Sequence, residues 1–151
     1  MNTIGTIDEL SCHIGLIKHY DRQQWWHVFT TIQKDLQHIM STLATSPISE
    51  RFDELKHVDD ASIIHHIESV QKDMLRTTRI PQEFVIPGET VEDAQINIAR
   101  TVCRRAERLI VELIRETFAD SKRKHEYHDA SRYLNRLSDL LFVFSRYLNV
   151  D

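Results

Sequence analysis

Apolar residues recur every three or four positions along almost the whole chain, and that period commits it to α-helix. Ile7, Leu10, Ile14 and Ile17 form a first stripe, and Phe29, Ile32, Leu36, Ile39 and Leu43 a second, longer one. Ile63, Ile67, Val70 and Met74 make a third. A fourth helix, from about Val91 to Phe118, carries a narrow seam of Ala99, Val102, Ala106, Leu109 and Leu113. A fifth, from about Ser131 to Asn149, turns Leu134, Leu137, Leu141, Phe144 and Leu148 inward. Three glycines and three prolines are too few for a turn-rich β architecture. Long helices with short connections predict an all-α fold, an antiparallel helix bundle. A chain of 151 residues is enough for one core, so residues 1–151 read as a single helical domain.

The breaks in the period locate the connections. "ATSPISERFDELKHVDDAS", with Pro47 and mixed polar residues, reads as a loop or short turn of helix. "RTTRIPQEFVIPGE" holds two prolines and one glycine and reads as an extended connection. Thr90 then suits an N-cap, with Glu92 and Asp93 in the first turn, where acids complement the helix dipole. "ADSKRKHEYHDAS" is polar and charged, an exposed loop or frayed helix end.

Charge narrows the function classes. The net charge of −4 argues against nucleic acid as the main partner. No apolar run approaches membrane-spanning length, and the N-terminus lacks a basic region followed by an apolar one, so neither a membrane span nor a signal peptide is expected. Cys12 and Cys103 stand far apart in no ligand pattern and read as reduced thiols of a cytoplasmic protein.

Against that acidic background, "RTVCRRAERLIVELIRE" crowds Arg100, Arg104, Arg105 and Arg108 into one helix. Arg100, Arg104, Glu107 and Arg108 share a side, at i, i+4, i+7 and i+8. Guanidinium groups clustered this way suit a phosphate chain, because each brings fixed donors and a permanent charge. A solvated face with Glu107 and Glu112 as intrahelical partners is the competing reading. In "SRYLNRLSDLLF", Arg132, Asn135 and Asp139 share the face opposite the apolar stripe. Asn and Asp are poor mid-helix formers, so bonding to arginines of a neighbouring helix or subunit, reading of a nucleotide, or polar bundle packing is needed to account for them. Nine histidines include "HHIE" (His65, His66) and "HEYH" (His125, His128), but no third ligand stands at a convincing spacing, so no metal site is assigned. Trp25 and Trp26 read as core or interface anchors.

The segments "FVIPGETVEDAQINIARTVCRRAER" and "YLNRLSDLLFVFSRY" resemble the PduO-type ATP:cob(I)alamin adenosyltransferases. "GTIDELSCHIGL" and "IQKDLQHIMSTLAT" resemble that family's first and second conserved segments, so the likeness spans nearly the whole chain in the right order. The resemblance implies a five-helix bundle with ferritin-like up-down packing that assembles as a homotrimer, with active sites between subunits. It implies transfer of the 5′-deoxyadenosyl group of ATP to cob(I)alamin, with Mg²⁺ assisting and triphosphate leaving. A cobalt reductase or an adenosylcobalamin-dependent enzyme would be a further partner. Carried over by motif, Arg104 and Asn135 contact ATP, Glu107 and Arg108 complete the arginine motif at the ATP site, and Arg100 pairs with Asp8 of an adjacent subunit to build that site. Asp139 closes the "NRLSD" motif on the corrinoid side. Phe84 stands at the spacing of the phenylalanine near the corrinoid's lower face, where it would exclude the lower axial ligand.

The chain departs from the family pattern in three places. Family members usually carry a "TKTGDxGxT"-like segment ahead of the first helix, which wraps the ATP phosphates through backbone N–H groups; here Met1 directly precedes "NTIGTIDEL". The family's "PGG" is "PGE", ending in Glu89, and the family's histidine three residues before the first motif arginine is Asn97. An added carboxylate near a triphosphate is unfavourable unless it points away. Besides the active enzyme, these departures admit a paralogue that binds corrinoid or nucleotide without turnover, or one that only assembles with homologues.

Overall fold

The structure is a computed structural model that describes residues 2–45, 49–58, 60–117 and 122–149. Among them it shows six helices and no strand: α1 (Asn2–Ile17), α2 (Arg22–Ala44), α3 (Glu50–Glu54), α4 (Asp60–Leu75), α5 (Val91–Glu116) and α6 (Lys122–Leu148). The expected count of five is therefore one short, because the stretch read as loop or short turn contains the five-residue α3. Ser49 caps it, its Oγ accepting the Arg51 N–H at 3.2 Å.

A second correction concerns α6, which starts at Lys122 rather than near Ser131. The segment read as an exposed loop or frayed helix end is, over its described residues, a helix that continues the inward stripe through Tyr127 and Ala130, both buried, while residues 119–121 lie outside the described ones. Its polar residues pair along the helix, with His125 3.4 Å and Arg132 3.9 Å from the Asp129 carboxylate. A third correction concerns the α5 seam. Ile96, Ala99, Cys103, Ala106, Ile110 and Ile114 are buried, while Leu109 and Leu113 are only half-buried. A strict seven-residue spacing drifts around a straight helix of 3.6 residues per turn, so the last turns of the buried face fall one residue later.

Cross-links between helices give their directions. Asp93 meets Arg146 and Glu107 meets Asn135, so early residues of α5 pair with late residues of α6 and the two run antiparallel. Asp35 meets Tyr133 and Asp21 meets Tyr147, so α2 also opposes α6. Lys18, one residue past α1, reaches Thr30 of α2 while Ser11 of α1 meets Gln33, so those two helices run antiparallel. Gly15 is the close approach: a Cβ there would stand 3.1 Å from Gln33 Nε2. Asp21 turns the chain between α1 and α2 in the left-handed region, at φ 47°, and its carboxylate accepts the Tyr147 hydroxyl at 2.7 Å. That bond helps hold a conformation side chains adopt reluctantly.

The core is a continuous apolar cluster drawn from α1, α2, α4, α5 and α6. Trp25 joins it against Tyr147, while Trp26 lies half-buried beside Lys18, Arg22 and His19. Burial pushes the Cys103 thiol far up, and its Sγ donates to the Leu134 carbonyl, whereas Cys12 is exposed. No helix among the described residues is long and apolar enough to cross a membrane.

A polar pair lies between α2 and α6 inside the core. The Tyr133 hydroxyl, fully buried, donates to Asp35 Oδ2 at 2.8 Å. Burial, followed by the neighbouring carboxylate, raises the Tyr133 pKa well above its ordinary value. A raised folded-state pKa contributes stability that is complete below the unfolded value and lost as pH rises past it. Stability should accordingly fall as pH rises above about 10, the unperturbed tyrosine value, with Tyr20 and Tyr147 adding in the same direction. Urea unfolding midpoints across that range would check this; a flat profile would contradict it, and Tyr133→Phe should flatten the slope.

Candidate active site

Three elements supply the site. The connection 76–90 passes from α4 to α5 through turns and bends without regular secondary structure and carries Phe84, whose side chain is fully exposed. It is anchored where it meets α5. Gly88 takes φ +107°, a conformation that favours glycine, and its N–H donates to Asp93 Oδ2 at 2.7 Å. The Glu89 N–H reaches the same oxygen at 3.2 Å. Thr90 then caps α5, its Oγ1 accepting the Asp93 N–H at 3.0 Å.

From that anchor α5 presents its arginines one turn apart. Arg100 is half-buried, and its Nε donates to Asn97 Oδ1 at 3.0 Å. Arg104 is exposed, and its Nη1 donates to Glu107 Oε2 at 2.8 Å. The other Glu107 oxygen accepts Asn135 Nδ2 from α6 at 3.1 Å. Glu107 thus holds Arg104 on one side and Asn135 on the other, so the guanidinium is oriented before any ligand arrives. The mid-helix Asn135 has its explanation in this carboxylate of the neighbouring helix.

A cleft of about 440 Å³ opens between these elements, lined by Phe84, Val85, Arg100, Arg104, Asp139 and Phe142 with Glu83 and Ser138. It brings together four of the residues singled out by sequence: Phe84, Arg100, Arg104 and Asp139. A smaller hollow of about 250 Å³ runs on along α5 between Arg104, Glu107, Arg108 and Arg115. Asp139 is exposed, with its Oδ2 3.9 Å from Arg136 Nη1. Asp8 is exposed on α1 and makes no ion pair with the described residues of its own chain; Arg105 instead pairs with Glu9. Asp8 and Arg100 are therefore not joined in the single chain.

The sequence profile described as cobalamin adenosyltransferase matches residues 1–148. The chain belongs to the cobalamin adenosyltransferase family. A cobalamin adenosyltransferase of Cupriavidus metallidurans is 35% identical to it over 147 residues, covering 97% of this chain and 72% of that protein. Corrinoid adenosyltransferase MMAB of Homo sapiens is 34% identical over 152 residues, covering 95% and 56%. The chain spans rather more than half the length of this mammalian relative and of the bovine one, at 58%. Among solved structures, a phenylalanine variant of the PduO-type ATP:corrinoid adenosyltransferase from Lactobacillus reuteri, complexed with cobalamin and ATP, matches with a TM-score of 0.82 at 29% identity, over 97% of this chain and 76% of that one.

Within this adenosyltransferase fold the two substituted positions have definite places. Glu89 turns outward: its side chain is 62% exposed and lies 3.9 Å from Arg146 Nη1. Asn97 is buried, donates to Asp93 and accepts from Arg100. Reading from sequence assigned Asp93 to the helix dipole and did not find it as the anchor of the connection. The available signal was the spacing of Asp93, Asn97 and Arg100 at i, i+4 and i+7 on one face of α5.

Among the described residues no three His, Cys, Asp or Glu side chains are arranged to hold a metal ion. Of the carboxylates beside the cleft, Glu107 is engaged with Arg104 and Asn135, and Asp139 lies 3.9 Å from Arg136. The described residues do not form a magnesium cage.

Proposed function

We propose that the chain transfers the 5′-deoxyadenosyl group of ATP to the cobalt(I) of a corrinoid, giving adenosylcobalamin and triphosphate. The observation that carries this reading is a cleft lined both by an exposed apolar ring, Phe84, and by the oriented guanidinium groups of Arg100 and Arg104. ATP and cobalamin are both named in the complexes of the similar Lactobacillus reuteri structures.

The reaction asks little acid–base chemistry of the protein. The cobalt(I) electron pair forms the bond to carbon 5′, the C5′–O bond breaks, and its electrons leave with the triphosphate. No proton moves in that step. What the chain supplies is alignment of two reactants and stabilisation of the charge on the leaving group. Arg104, preset by Glu107 and Asn135, faces the place where that charge develops, and Arg108 extends the cationic surface along α5. Phe84 and Val85 give the corrinoid an apolar wall that keeps water from the reacting centre.

We read the active form as a homotrimer. Asp8 has no ion-pair partner among the described residues of its own chain, and α1 and α5 leave Leu16, Val91 and Ile98 exposed. An adjacent subunit that covered these residues and let Asp8 meet Arg100 would satisfy both. Two unpaired cysteines fit the reducing cytoplasm.

The deciding experiment is anaerobic: purified protein, ATP, Mg²⁺ and reduced cob(I)alamin, followed by loss of the cobalt(I) absorbance band and appearance of adenosylcobalamin. Turnover is the expected result. Absence of turnover with intact binding of both substrates would replace the reading with that of a binding paralogue. Phe84→Ala should lower kcat/KM for the corrinoid at least about tenfold, equivalent to roughly 1.4 kcal/mol of transition-state stabilisation. Its melting temperature should match that of the unaltered protein, because the ring touches water rather than core. An unchanged rate would remove Phe84 from the site.

A further inference from the structure

Asp93 is completely buried, yet it is neither on the cleft wall nor part of either motif. Four groups converge on its carboxylate. Oδ2 accepts the Gly88 N–H at 2.7 Å and the Glu89 N–H at 3.2 Å. Oδ1 accepts Asn97 Nδ2 at 2.9 Å and Arg146 Nη2 at 2.8 Å. The first pair belongs to the connection that carries Phe84. Asn97 in turn accepts Arg100 Nε at 3.0 Å, and Arg146 comes from α6. One side chain therefore ties the apolar wall of the cleft, its cationic wall and the helix between them.

We propose that Asp93 is a positioning residue for adenosyl transfer: it sets the Phe84 connection and, through Asn97, the Arg100 guanidinium in fixed register. The proposal rests on the reading that this cleft takes corrinoid and ATP. It also explains how this chain accommodates Asn97 and Glu89. Asn97 relays the carboxylate to Arg100, and the Glu89 backbone is captured while its side chain is directed to solvent.

All four partners are donors, which makes the test sharp. An amide cannot replace the carboxylate, because its NH₂ must face a donor on one side or the other. The charged Arg146 claims the remaining oxygen. The loss then falls on the Gly88 and Glu89 amides, while the side chain keeps its size. Asn97→Ala does the opposite: the connection keeps both bonds and Arg100 loses its orientation.

The experiment compares the full chain with Asp93→Asn and Asn97→Ala by amide hydrogen exchange and by KM for cob(I)alamin and for ATP. In Asp93→Asn, exchange at Gly88 and Glu89 should quicken at least about tenfold, the scale of a lost hydrogen bond to a charged group. KM for the corrinoid should rise more than KM for ATP. In Asn97→Ala, exchange in the connection should stay unchanged and KM for ATP should rise more. A merely structural role would move both constants together in both variants, and that result would overturn the proposal. Unchanged exchange in Asp93→Asn would overturn it as well. If the unaltered chain shows no turnover, the functional reading fails separately and the exchange arm alone decides the clamp. If Asp93→Asn does not fold, Asn97→Ala decides by the same split between the two constants.

Discussion

Replacing Arg104 by alanine lowers ATP-dependent adenosylation by at least about 10²-fold, the scale of removing one preorganised donor from a developing charge, while the fold stands. The side chain is exposed, and the bond it makes inside the chain is to Glu107 on the same helix. Exposed ion pairs of this kind are worth about 0–1 kcal/mol, so the unfolding midpoint should barely move. On the proposed reaction the cost should appear only when a triphosphate must depart, because Glu107 holds the guanidinium on the cleft wall. Arg104→Lys should recover part of the loss, since it restores a charge without the planar fork. The pair of measurements is an anaerobic rate and a thermal melt on the same sample. A full rate in Arg104→Ala would take Arg104 out of the mechanism, and a collapsed melt would show that the residue supports the fold instead.

Arg146→Ala should give the reverse pattern, with a loss of about 3–5 kcal/mol in folding stability, the range for breaking a buried pair by removing one partner. Arg146 is only 8% exposed and Asp93 is not exposed at all. Without the guanidinium, the Asp93 carboxylate keeps its backbone and amide donors but loses its countercharge. Urea unfolding would measure the difference. A change below about 1 kcal/mol, within the range of a surface ion pair, would mean that water reaches the carboxylate and that the pair is not buried in solution. The double replacement Arg146→Ala with Asp93→Ala should cost less than the sum of the single ones, because neither charge is left stranded.

The fold was legible wherever the apolar period was long. The stripes of α1 and α2 are buried as read, since each helix faces the core along one side, and α4 buries Ile67, Val70 and Met74 as read, while Ile63 is only half-buried and Ile64 takes the buried place beside it. Reading failed on α5 and α6 for different reasons. In α5 a heptad spacing selected Leu109 and Leu113, whereas a straight helix carries its buried face to Ile110 and Ile114. In α6 the run of charges in the sequence from Lys122 to Glu126 hid the start of a helix, because it breaks the apolar period there. The site was legible to the extent that it is written in motifs. Phe84, Arg100, Arg104 and Asp139 meet in one cleft although they come from three separate elements. The clamp at Asp93 was not legible, because two of its partners are backbone N–H groups of a connection that carries no period, and a third comes from the far end of α6.

The Tyr133–Asp35 bond has a consequence for how the bundle finds its alignment. Leucine and isoleucine interlock almost equally well after a slide of one helical turn, so an all-aliphatic seam between α2 and α6 would admit several neighbouring arrangements. A hydroxyl and a carboxylate buried opposite each other admit one, since any slide strands both in hydrocarbon. The same pair that makes the protein sensitive to alkali thereby acts as a key cut to a single notch, and it fixes the height at which α6 presents Asn135 and Asp139 beside the arginines of α5.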